Sequence, residues 1–147
     1  MRTAILAATA LSLIATSLIA TGALADALSE RQAIMKERGA LLRVLGPIAQ
    51  GKQPFDAGTV MDALEKLHDN AARTDVPVLW APGTDGGDTE SLPKIWEDME
   101  AYQAANDKYE ADTQAALAAN PQDLATFQQV FGSVASNCGS CHEAYRM

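Results

Sequence analysis

"NCGSCHEAYRM", residues 137–147, holds both cysteines of the chain, Cys138 and Cys141, and one of its two histidines, His142. Such an arrangement suits three chemistries: a disulfide, a metal site or a covalently held cofactor. The residues upstream of it carry a helical pattern. Phe127, Val130, Phe131, Val134, Cys138, Cys141 and His142 recur at spacings of three and four, which places them on one helical face. Both sulfurs and the imidazole then point toward the interior against which that helix packs. Its start is well marked: Asn120 is a good N-cap, Pro121 fits the first helical position and Asp123 suits the first turn.

Further upstream the chain shows little strand signal and is rich in Ala, Leu, Glu, Gln and Lys. A first amphipathic stretch runs from about Leu28 to Ala49, where Met35, Leu42 and Ala49 join Ile34, Leu41, Leu45 and Ile48 on an apolar stripe. "QGKQPFD" ends it with Gly51 and Pro54. A second runs from about Asp56 to Arg73, with Val60, Leu64, Leu67 and Ala71 on one face. The segment "TDVPVLWAPGTDGGDTES" holds two prolines and three glycines and cannot continue a helix. A third helix is expected from Pro93 to about Ala119, burying Ile95, Trp96, Met99 and Tyr102. The expectation is an all-α antiparallel four-helix bundle in one domain.

The amino terminus sets the compartment. "MRTAILAATALSLIATSLIATGALA" has one charge, at Arg2, then an uncharged apolar run ending in the small-x-small triplet Ala23-Leu24-Ala25. It reads as a secretory leader over residues 1–25, cleaved after Ala25, rather than a retained anchor. The expected location is the periplasm, with no membrane insertion after cleavage. Removing 25 of 147 residues leaves 122, enough for one domain with a modest core. The chain has 11 basic and 19 acidic residues, and without Arg2 its formal charge is −9. Such a surface opposes nucleic-acid and anionic-lipid binding. It allows encounter with a basic partner, or simply keeps the protein soluble.

Export narrows the three chemistries. An exported protein can hold a disulfide, but a bridge enclosing two residues constrains the unfolded chain very little. Redox dithiols place Cys-x-x-Cys at a helix N-terminus after a strand; here the pair sits at a helix C-terminus, where the dipole opposes thiolate. A structural zinc site needs four ligands, and the other histidine, His68, is expected at the solvent border of the second helix. Cys-x-x-Cys-His remains as the attachment signature for c-type haem, with a thioether from each cysteine and iron on His142. A large apolar ligand at its centre also suits a bundle of this size. No paired carboxylates, Ser/His/Asp group or open metal cluster suggests turnover, so the chain is expected not to be an enzyme.

A haem motif near the end of an exported four-helix bundle resembles the class II c-type cytochromes, the cytochrome c prime family. "RQAIM" at 31–35, "APGTDGG" at 81–87, "PKIW" at 93–96 and "CGSCHEAYR" at 138–146 resemble that family in its usual order, across essentially all of residues 26–147. The resemblance implies one haem c held by Cys138 and Cys141, and a distal residue four positions after an arginine. Here that residue is Met35, following Arg31. Two branches differ in what it does. In the low-spin branch a methionine ligates iron and the protein carries single electrons; in the high-spin branch an apolar side chain covers a five-coordinate iron that can bind nitric oxide or carbon monoxide. "IMKERGALLRVLGPIAQGKQPFD" resembles the first branch, and "WAPGTDGG" the second. The expected function is single-electron transfer with His142 and Met35 as axial ligands, and Met35 packing over the ring is the alternative.

Other residues follow from the same resemblance. Arg31 is expected near the haem propionates, with Gln32 as its companion; a surface salt bridge is the alternative for Arg31. Trp80 is expected over the haem edge or in loop packing. Arg146 is expected beside the outer side of His142, a position that also suits a helix C-terminus. Trp96 is expected in the core. Implied partners are redox proteins, a diatomic gas in the five-coordinate branch, and a second copy through the first two helices.

Overall fold

A computed structural model describes the chain from Ala8 to Met147, with side chains from Gly22 onward except Ala23. The expected leader falls mostly outside that description. The helices are α1 (Ala8–Ala49), α2 (Ala57–Ala72), α3 (Val76–Leu79), α4 (Lys94–Glu97), α5 (Met99–Ala118) and α6 (Leu124–Tyr145). Among the described residues the only strand-like pairing is an isolated antiparallel bridge between Ser91 and Arg146. No described helix is long and apolar enough to cross a membrane.

The four long helices close an antiparallel bundle in which α1 and α5 each pack against both α2 and α6. Cross-helix hydrogen bonds give the directions. Gln128 near the start of α6 donates to the carbonyl of Ala49 at the end of α1, at 2.7 Å. Asn70 near the end of α2 donates to the carbonyl of Ile34, well before the end of α1, at 3.1 Å. Leu45, Ile48, Val60, Leu64, Leu67, Ala116, Phe127, Phe131 and Val134 form a buried cluster drawn from all four helices. Phe127 and Phe131 stack at 5.2 Å between centroids. A second cluster, at the other end, joins Ile34, Val76, Leu79, Trp80, Ile95 and Tyr102. The loop helices therefore have a core of their own.

Several boundaries differ from the sequence expectation, each for a local reason. α1 runs continuously upstream of Leu28, because nothing in Ala-Leu-Ala-Asp-Ala breaks a helix. α6 begins at Leu124 with Asp123 as its cap, accepting from the Thr126 amide at 2.9 Å. Asn120, expected as the cap, instead takes a left-handed backbone with φ 44° that reverses the chain. The expected third helix is broken at Asp98, which ends α4 and caps α5 by accepting from the Ala101 amide at 3.1 Å. Within the Pro/Gly-rich loop, Asp75 caps the single turn α3, with Pro77 in its first turn. His68 is half-buried, consistent with the border position expected of it, and its Nδ1 lies 3.3 Å from Thr113 Oγ1 on α5.

Candidate functional site

Between the two clusters lies a cavity of about 630 Å³, within the roughly 300–1,000 Å³ range of small-molecule and cofactor sites. Cys138, Cys141 and His142 line it from α6; Arg31, Gln32 and Met35 line it from α1; Trp80 and Arg146 complete the set expected from sequence. Eight residues spread over 116 positions of chain thus meet at one site. The spacing on α1 explains its share: Arg31, Met35, Arg38 and Leu42 repeat at four, three and four, so one face enters the cavity.

The attachment residues are held at a clamped helix end. The Arg146 amide donates to the His142 carbonyl at 3.1 Å, Leu92 donates to the Tyr145 carbonyl at 2.9 Å, and Met147 donates to the Glu90 carbonyl at 2.9 Å. Arg146 Nε donates to Glu90 Oε2 at 2.7 Å. These bonds fasten the last turn of α6 to residues 90–92 and fix where the His142 backbone sits. Burial pushes both cysteine thiols above their usual range, with Arg38 pulling against it. A reactive dithiol needs the opposite shift. Both cysteines are unbridged and half-buried. His142 sits exposed on the rim, and desolvation, then Arg146 and Arg38, lower its pKa, which favours the neutral imidazole that ligates metals. Among the described residues no group of three or more His, Cys, Asp or Glu side chains converges on a metal-sized site.

On the α1 side Arg31 is buried, 5% exposed, and does not make the surface salt bridge held open from sequence. Its Nε donates to the Leu79 carbonyl at 2.7 Å and its Nη2 to the Thr84 carbonyl at 2.9 Å; Nη2 also bonds Thr84 Oγ1. The guanidinium lies 5.0 Å from the Trp80 ring centre and 5.3 Å from that of Trp96. Trp96 is half-buried, packs against the second cluster as expected of a core residue, and also flanks Arg31. Gln32 is exposed and donates weakly to the Asp88 carbonyl at 3.3 Å. Gly87 has φ 85°, and a Cβ there would meet Leu28 Cδ1 at 2.6 Å; glycine lets the loop lie against α1. Met35 is half-buried on the cavity wall.

The cavity suits a large flat group bearing acidic substituents. Trp80, Tyr102, Tyr109, Ile95 and Leu42 give it apolar walls, and two thiols reach it from one side. Arg31 Nη1, Trp80 Nε1 and the Tyr109 hydroxyl are buried with no hydrogen-bond partner within the protein, so three donors stand available to a ligand. Haem fits that demand. Sequence reasoning missed Arg38, Tyr102 and Tyr109 as lining residues. Arg38 could have been found, three positions after Met35 and seven after Arg31, whereas the tyrosines needed the packing of α5.

Fold and site together define a c-type haem protein built on a helical bundle. Residues 26–146 match the family model for cytochrome C', and the chain belongs to that family. It is 36% identical over 117 residues to a cytochrome c-556 of Agrobacterium tumefaciens, covering 80% of this chain and 91% of that one. It is 33% identical over 122 residues to a cytochrome c' of Rhodopseudomonas palustris, covering 82% of each. The structure of cytochrome c prime from Shewanella frigidimarina superposes with a TM-score of 0.78 at 27% identity, over 84% of this chain and 95% of that one. A nitric oxide complex of a cytochrome c prime variant from Alcaligenes xylosoxidans superposes with a TM-score of 0.74 at 27% identity, over 84% and 95%. The cofactor is haem c, with the chain's two cysteines as its attachment points.

Proposed function

We propose that this protein is a periplasmic single-electron carrier, without a substrate of its own, whose haem iron is held by His142 and Met35. The observation that carries the reading is that Met35 on α1 and His142 on α6 line one cavity together with both cysteines. Haem supplies a one-electron couple; the protein binds it, orients it and excludes water around it. Cys138 and Cys141 anchor the ring, His142 offers a neutral imidazole, and Met35 offers a thioether that favours the reduced state. Arg31 and Trp80 bring their unpartnered buried donors to the acidic edge. The leader over residues 1–25 delivers the chain to the compartment where covalent attachment takes place. The family match over residues 26–146 begins where the leader is expected to end.

A second reading has its own support. The Alcaligenes xylosoxidans neighbour is a nitric oxide complex, so a five-coordinate iron covered by an unligated Met35 is the alternative. The visible and electron-spin-resonance spectra of the oxidised protein separate the two. Low-spin iron supports Met35 ligation; high-spin iron with ready carbon monoxide binding reverses the assignment. Redox proteins are the partners on the first reading, a diatomic gas on the second, and a second copy through α1 and α2 is compatible with either.

A further inference from the structure

Arg38 stands in the cavity wall one turn beyond Met35, and no role assigned so far uses it. Its guanidinium is fixed from three directions. Nε donates to Asn70 Oδ1 at 2.9 Å, Nη2 donates to Thr74 Oγ1 at 3.1 Å, and the group lies 4.2 Å from the Tyr109 ring centre. Asn70 is itself fully buried and donates to the Ile34 carbonyl and to Glu37, so it cannot turn away. All three partners of Arg38 are neutral. Among the described residues no carboxylate stands within salt-bridge distance of it. Glu37, the nearest in sequence, pairs with Arg73 and Asn70 and also feels the charge of Arg38, without a direct ion pair to it. Arg38 lines the same cavity as both thiols and His142.

Among the described residues Arg38 makes no direct ion pair, so its charge stands beside the cofactor cavity with only neutral groups in contact. An uncharged side chain would fill the same half-buried wall position. We propose that Arg38 sets the reduction potential: its fixed positive charge favours the state of the haem with one more electron and so raises the potential. The reaction it biases is simple. One electron arrives from a donor protein and leaves to an acceptor, the formal charge at iron falls and rises by one, and no bond or proton moves at Arg38. The inference rests on haem occupancy of the cavity and not on Met35 ligation.

The test is potentiometric titration of the purified holoprotein, followed by its visible spectrum, for wild type, Arg38→Gln and Arg38→Lys. At a fixed ambient potential near the wild-type midpoint, Arg38→Gln is expected to lower the reduced-to-oxidised ratio on the order of tenfold. That is the scale for a unit charge several ångströms away at an effective dielectric constant of about 20. Arg38→Lys keeps the charge and is expected to retain most of the ratio. An Arg38→Gln ratio equal to wild type overturns the proposal, and so does an Arg38→Lys ratio that falls as far. A changed ferric spectrum in Arg38→Gln also overturns it, since the residue would then be acting through the iron's ligands. If Arg38→Gln fails to mature, Arg38→Met, unbranched and uncharged, carries the same comparison. A high-spin wild-type spectrum would end the Met35 assignment and leave this test standing.

Discussion

Arg31 on α1 donates from Nε to the carbonyl of Leu79, 48 residues away, at 2.7 Å. That bond and its companion to Thr84 tie the Pro/Gly-rich loop onto the bundle and bring Trp80 to the cavity. Replacing Arg31 with Leu leaves two buried carbonyls without their charged donor. Holoprotein stability is expected to fall by roughly 3–5 kcal/mol in urea denaturation, from two charge-assisted hydrogen bonds and the contact with two indoles. Arg31→Lys should recover less than half, because an ammonium cannot fork between Leu79 and Thr84. A loss under about 1 kcal/mol for Leu would show that the loop docks without the arginine.

Met35 decides between the two functional readings. Met35→Ala is expected to convert the ferric spectrum from low-spin to high-spin and to open the iron to carbon monoxide. It should also lower the potential, since a thioether ligand favours ferrous iron. An unchanged spectrum would mean that Met35 only packs against the ring.

Asp112 links α5 to α6 through Asn137 Nδ2 at 2.7 Å, and its own helix supplies Lys108 at 2.5 Å. Lys108 first, then Asn137, hold its carboxyl below the usual carboxylate range. A lowered folded pKa means the contribution is fully present above the unfolded value of about 3.9 and is lost as pH falls through the folded one. Thermal melting from about pH 6 down to about pH 2 should therefore show a steep acid limb in wild type and a flatter one in Asp112→Asn. Parallel limbs would remove Asp112 from the acid response.

The start of α6 is a test of capping. Asp123→Ala should lower stability measurably, whereas Asn120→Gly should leave it nearly unchanged, because φ 44° favours glycine. An unchanged stability in Asp123→Ala, measured by urea denaturation, would remove Asp123 as the cap of α6.

Much of the fold was legible because periodicity and composition act locally. The apolar stripes of α1, α2 and α6 follow from a spacing of three and four, and Gly51, Pro54 and the 74–91 loop interrupt them predictably. Asp98 was not legible as a break. Its neighbours favour helix, and only the docking of Ile95 and Trp96 against the loop cluster turns the chain there. Asp123 and Asn120 are both good caps by type, so the choice lay in the backbone of the turn.

By itself the sequence determined that Cys138, Cys141 and His142 share a helical face, and that Arg31 and Met35 share another, since both statements depend only on residue spacing along one helix. Only the tertiary structure decided that the two faces border a single cavity, that Arg31 is buried between Trp80 and Trp96, and that Arg38 joins them held by Asn70, Thr74 and Tyr109. Those facts arise where α1, α2, α5 and the loop meet. Burial and the pairing of charge are properties of that meeting, and no local pattern encodes them.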